Sequence, residues 1–309
     1  MSAKDCDSYR ATGRMRRDGQ RRRVEISGDL FARVVEAREG LGHILDIEEA
    51  YEAMLGNFID FERGAMMRLA SELVHPITTI EEFDAVRITM GRLLDNLLSS
   101  AFAFLEQSKD RLPKLGGRPL LKAFEKELEA LKLRLPVLTV VHAIRNHAQH
   151  EGSSVSGLTT ARRRLEEGEQ VVVEQTLTVI FKRDALRRNR EASKEARASL
   201  SALLNALTDS KGAIELGPLA RSYVAALSEV LLLIRRLVAE RQADWSQANR
   251  EAMSLLDPQN ELFARQVSRV RDGKVVARSE ITVFNVERVE RLQSRNRGLV
   301  SLPQARLKH

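Results

Sequence analysis

From Asp46 to Gly152 apolar residues recur with the period of an α-helix, and no other feature constrains the chain as much. Thr79, with Glu82 three residues later, signals a helix start. Phe83, Val86, Met90, Leu93, Leu94, Leu97 and Leu98 then hold one face to about Gln107. Such a stripe is stable in water only when it is buried against another like it, and the neighbouring segments supply the partners. A short helix is expected from Asp29 to about Glu39, broken by Gly40-Leu41-Gly42. Asp46 with Glu49 restarts helical spacing, which runs to about His75 before Pro76 stops it. The stretch DRLPKLGGRP reads as a connection, and a further helix spans about Leu120 to Arg134. Pro136 opens the next, because its fixed φ suits a first helical turn, and Gly152 suits a left-handed exit. Helices return from Asp184 to about Leu207 and from Pro218 to about Leu256. With 17 Gly and 7 Pro in 309 residues, little material is left for long loops. Successive helices are therefore expected to lie antiparallel in a bundle.

The period becomes alternating in two places. Glu169 to Phe181, EQVVVEQTLTVIF, is rich in β-branched residues and forms a hairpin with Arg162 to Glu166 across a Glu167-Gly168 turn. After Asp257-Pro258, Asp272-Gly273 between FARQVSRVR and KVVARSEITVF marks a second hairpin. The fold class is mainly α: an antiparallel helical bundle with a small antiparallel β appendage of two hairpins. The two hairpins are expected to pair into one sheet, since an isolated hairpin is marginal in water. The chain divides into a basic, disordered tail over 1–25, a bundle over 26–257 with a β-hairpin insertion at about 159–182, and a last segment over 258–309. That segment holds a β-hairpin, a short helix and a basic tail.

Charge separates these parts. The net charge is +7, but residues 1–25 carry eight Lys/Arg against four Asp/Glu, and residues 287–309 carry six against two. The remaining 261 residues net minus one, so the body is near neutral and both ends are basic. A basic arm attracts phosphates without specifying a sequence. No apolar run reaches the length of a membrane span, and nothing near the start reads as a secretory leader. The single cysteine, Cys6, lies in a polar stretch and has no second thiol to pair with. A soluble cytoplasmic protein without membrane contact is expected.

Chemistry concentrates in one place. Three of the six histidines fall within VLTVVHAIRNHAQHEG, which contains Arg145-Asn146-x-x-x-His150. At about 100° per residue, Val137, Val141, Ile144 and Ala148 form an apolar stripe. Thr139, His142, Asn146, Gln149 and His150 fall on the opposite face, with Arg145 on its flank and His147, on the other flank, as a spacer. A metal site built from His142, His147 and His150 is disfavoured because the three do not share a face. Gly-rich phosphate loops, nucleophile elbows and paired-cysteine zinc spacings are absent from the sequence.

A mostly helical bundle with Arg-Asn-x-x-x-His on a late helix resembles the HEPN superfamily. That superfamily includes toxin ribonucleases, anticodon nucleases and phage-defence proteins. The resemblance is carried by Arg145, Asn146 and His150, and by topology over about Asp46 to Leu256. It implies a metal-independent endoribonuclease of a bacterial toxin–antitoxin or phage-defence system, needing no cofactor and leaving 2′,3′-cyclic phosphate and 5′-hydroxyl ends. Arg145, Asn146 and His150 would be the catalytic residues, with His142 and Gln149 as possible substrate contacts. RNA is then the substrate, and a cognate antitoxin or a defence-complex subunit the partner. The residue types suit that chemistry. Histidine moves protons near neutrality, and arginine offers a fixed cation with directional donors.

Two alternatives come from other classes: a catalytically inactive HEPN-like binding or scaffold module, and a plain helical interaction protein in which Arg145 is tied into an ion pair. The motif occurs once, since neither Arg188-Asn189 nor Arg295-Asn296 is followed by histidine at the matching position. The family resemblance implies that two copies of the motif face each other. A homodimer through the motif helix, or a heterodimer with another such protein, is therefore expected, enclosing a scissile phosphate that one convex helix cannot.

Overall fold

The computed structural model describes residues 7–150, 152–167, 170–182, 205, 208, 212–259, 261–299 and 307–308. Among these residues the protein is mainly α-helical, with two small antiparallel sheets. The helix expected from Asp184 to Leu207 falls almost wholly outside the described residues. The chain forms two compact units, each assembled from separate stretches of sequence. One comprises the described parts of Met1–Glu49, Gln107–Phe124 and Ile234–Arg297, the other those of Ala50–Glu106, Glu125–Leu233 and Gly298–His309. The span 26–257, expected as one bundle, is thus divided between them.

In the first unit, strands β1 (Ser8–Met15), β2 (Arg21–Glu25), β6 (Leu262–Arg271) and β7 (Lys274–Glu280) form a sheet in the order β2-β1-β6-β7. The expected disordered tail is thereby corrected over residues 8–25. Tyr9, Ala11 and Met15 alternate toward a core cluster that includes Leu30, Val34, Ala252 and Val267. The arginines between them occupy the other face, which hid the alternation. Ala11 is fully buried, and its cross-strand neighbours are Val24 and Val267. The Asp272-Gly273 turn has φ values of 51° and 76°, the geometry that a two-residue hairpin turn demands.

Helix α1 runs unbroken from Gly28 to Val74, so the expected break at Gly40-Leu41-Gly42 and the restart at Asp46 are also corrected. Gly40 leaves room for the Trp245 ring, and Asp46 forms an ion pair with Arg111, its Oδ2 3.0 Å from Nε, instead of capping a helix. Helix α2 (Ile80–Arg134) begins with the expected capping box: Thr79 Oγ1 accepts from Glu82 N–H at 3.2 Å, and the Glu82 carboxylate accepts from Thr79 N–H at 3.2 Å. Its expected connection shrinks to a kink at Gly116-Gly117, where Gly117 has φ 73° and Arg241 donates to the Leu115 carbonyl at 2.8 Å. Helix α4 (Leu216–Leu256) carries Arg235, which pairs with the buried Glu48 at 2.7 Å and donates to the Asn296 carbonyl at the end of α5 (Val283–Arg295).

In the second unit, α3 (Val137–His150) leads into the hairpin β3 (Gly157–Glu167) and β4 (Gln170–Lys182). Strands β5 (Ala213–Glu215) and β8 (Leu307–Lys308) both pair with β4. The two hairpins therefore belong to separate sheets, against the expectation of one. Each finds further strands locally, β1 beside β6 and β5 with β8 beside β4, and so escapes the marginal stability of a lone hairpin.

Candidate functional site on helix α3

The sequence signals at both ends of α3 set its length. The Pro136 carbonyl accepts from the Thr139 and Val140 N–H groups at 3.0 and 3.1 Å, and the Gly152 N–H donates to the His147 carbonyl at 3.2 Å, without the left-handed conformation expected of that glycine. The helix buries Leu138, Val140, Val141, Ile144 and His147. Val141 and Ile144 match the expected stripe, whereas Val137 and Ala148 are only half-buried. His147, expected as a spacer, is 9% exposed and packs edge-on against Phe181 of β4, ring centroids 5.4 Å apart at 80°. The hairpin after α3 covers that flank, which helical periodicity alone could not indicate.

Thr139, His142, Gln149 and His150 are exposed, and Arg145 and Asn146 are half-buried. The Arg145 guanidinium lies over the Phe102 ring of α2, 3.8 Å from its centroid, and the His142 ring is 6.1 Å from the same phenylalanine. A guanidinium on an aromatic face gains about 0.5–2 kcal/mol, more as water is excluded. Arg145 Nη1 also donates to Asn146 Oδ1 at 3.3 Å, while its Nε is buried with no partner. Among the described residues no carboxylate pairs with Arg145, so its charge is not neutralised in place. Behind it stands Tyr223 of α4. Burial pushes this phenol well above its ordinary pKa, and the positive charge of Arg145 pulls it partly back.

The elements bring Arg145, Asn146 and Phe102 together, but no hydrogen bond joins Arg145 to His150 within the chain. Five residues of helix separate the two by about 140° around the axis, so they mark opposite edges of one face. Asn146 and His150, four apart, share an edge. Phe102 is the member that the sequence does not mark as functional. Nothing at its position announces a partner forty-three residues later. Among the described residues no group of three or more His, Cys, Asp or Glu side chains converges as metal ligands would, and no helix is long and apolar enough to cross a membrane. No family model, curated protein or solved structure matches this chain.

Proposed function

We propose that this protein is a HEPN-type endoribonuclease of a bacterial toxin–antitoxin or phage-defence system, working as a homodimer through α3. One observation carries the reading: α3 exposes His150 beside Asn146, while Phe102 holds an arginine that no carboxylate neutralises. In the proposed reaction, a His150 imidazole takes the proton from a ribose 2′-hydroxyl as its oxygen attacks the adjacent phosphorus. The bond to the 5′-oxygen breaks, and that oxygen receives a proton from the second His150 of the pair. A 2′,3′-cyclic phosphate and a 5′-hydroxyl result. Arg145 offsets the charge that gathers on the phosphoryl oxygens, a role for which its stacked, unpaired guanidinium is suited. Asn146 shares its helix edge with His150 and can donate to phosphate. His142 and Gln149 extend the exposed face along which RNA would lie.

The test is purified protein with mixed RNA in EDTA, compared with His150→Ala and followed by analysis of the ends. General acid–base groups contribute about 100- to 10,000-fold, so the variant should lose at least the lower of these. Cleavage that needs an added divalent ion, or that survives His150→Ala, sinks the assignment. Absence of cleavage by both proteins leaves the inactive binding module as the better reading.

A further inference from the structure

The stretch between Arg10 and Arg23 holds seven arginines, and six of them stay exposed on folding. Elsewhere in the molecule arginines find acids: Arg33, Arg221, Arg235 and Arg271 each hold a carboxylate at 3.3 Å or less. Among the described residues none of the seven forms an ion pair, and all except the half-buried Arg10 are exposed. Asp18, the one acid among them, accepts from the Gln20 N–H within the β1–β2 turn.

The register of β1 and β2 orders this charge. Ala11 with Val24 faces the core, so Thr12 with Arg23 and Arg14 with Arg21 face the other way. In the next row Arg10 lies between Glu25 and Ser268, and exposed Arg278 of β7 continues the row beyond Ser268. Residues on one face of a strand repeat every 6–7 Å and neighbouring strands lie about 5 Å apart. This face thus carries Arg10, Arg14, Arg21, Arg23 and Arg278 in an ordered array around Glu25 and the buried Ser268.

An exposed aromatic completes it. Phe263 of β6 stands opposite Arg14 and is 45% exposed. The register shifts between Thr12 and Arg14, and Ala264 takes φ 50°, a left-handed conformation that costs an alanine about 1–2 kcal/mol. Such irregularities re-aim a side chain, and here the side chain beside the shift is Phe263.

We propose that this open sheet face docks single-stranded RNA, its arginines on the phosphates and Phe263 beneath an unstacked base. Five arginines outnumber the acids Glu25 and Glu280 on this face, which matches a polyanion, and a solvent-facing phenylalanine among them favours a strand with free bases over a duplex. The choice of RNA rests on the reading of α3; the arginine array does not.

Fluorescence anisotropy with a labelled 2′-O-methyl oligouridine, which cannot be cut through its 2′-oxygen, separates the two. Wild type is compared with the triple variant Arg14→Gln/Arg21→Gln/Arg23→Gln and with Phe263→Ala. Three lost phosphate contacts should flatten the slope of log affinity against log salt by about 2. Phe263→Ala should weaken binding about five- to 150-fold and leave the slope unchanged. Circular dichroism checks that each variant stays folded. Wild-type affinity and slope in the triple variant overturn the proposal, as does tighter binding to duplex DNA than to the oligouridine. Retention on anionic lipid vesicles without oligonucleotide binding overturns it too. Sheet-dependent binding by a protein that cleaves no RNA sustains the docking face and sinks only the reading of α3.

Discussion

Gly40 and Gly42 sit two residues apart in the same helix, yet exchanging each for alanine should move stability in opposite directions. A methyl group on Gly42 meets nothing within 4 Å. Gly42→Ala should therefore stabilise the protein by about 0.5–1 kcal/mol, the helix-propensity difference between the two residues. A methyl group on Gly40 would stand 2.4 Å from Cζ3 and 2.5 Å from Cη2 of Trp245. That ring is 3% exposed, and its carbonyl accepts from Asn249 within the same helix, so neither ring nor backbone is free to retreat. Forcing an extra carbon into a packed site costs about 1–3 kcal/mol, which outweighs the same propensity gain. The propensity term is common to both exchanges, so their difference isolates the Trp245 contact at about 1–3 kcal/mol. Trp245 is the only tryptophan in the chain, so the reporter lies at the perturbation. Urea titrations followed by its emission should rank Gly42→Ala above wild type and Gly40→Ala below it, with the folded-state spectrum shifted only in Gly40→Ala. A Gly40→Ala protein as stable as Gly42→Ala, with an unchanged spectrum, would show that close packing of this ring is not why a glycine stands there.

Other expectations follow from burial, charge and assembly. His147→Ala empties a packed site against Phe181 and should cost about 2–3 kcal/mol in the same titration. His150→Ala, on the exposed face, should change stability by no more than about 0.5 kcal/mol; a large loss there would mean that His150 is structural. Burial, joined by the Arg111 and Lys114 charges, holds the pKa of His43 below its ordinary 6.5. Below pH 6.5 the unfolded chain binds a proton that the folded chain resists, so stability falls until the folded pKa is passed. His43→Gln should flatten that part of the pH–stability curve, and an unchanged slope would exclude His43 as its source. Light scattering after gel filtration should give twice the chain mass, and titrating excess inactive His150→Ala into wild type should suppress cleavage, because each cleft needs both histidines. A monomer that still cuts RNA would remove the shared cleft.

What the sequence revealed about the fold, and what it concealed, follows from how far apart the deciding residues lie. The capping box at Thr79 and Glu82, the Pro136 start of α3 and the Asp272-Gly273 turn are local signals, and each appears where it was expected. The continuity of α1 is not local. A glycine weakens a helix by about 1 kcal/mol, too little to break one whose glycine receives a ring 205 residues away. The strand at Ser8–Met15 is concealed for the same reason. Its partner β6 lies some 250 residues further on, and a window dense in arginine reads as disorder until that partner covers the Ala11 side.

The candidate site divides in the same way. The exposure of His150 and Gln149 follows from helical periodicity, so those positions were readable before any contact was known. The burial of His147 and the stacking of Arg145 depend on Phe181 and Phe102, one in the hairpin after α3 and one on the helix before it. Those contacts decide what the motif can do. Phe102 pins the cation at one edge of the exposed face and leaves the imidazole at the other, about 140° around the axis. A single helix so arranged cannot bring both groups to one phosphate, because rotamers of Arg145 that reach toward His150 would abandon the ring. A second α3 related by a two-fold axis meets the requirement without moving either side chain, since the Arg145 edge of one protomer can oppose the His150 edge of the other. The stacking of Arg145 on Phe102 is therefore an argument for assembly as well as for charge. Phe102→Leu should then lower RNA cleavage while leaving gel-filtration behaviour intact; full activity in that variant would leave the ring no part in aiming the cation.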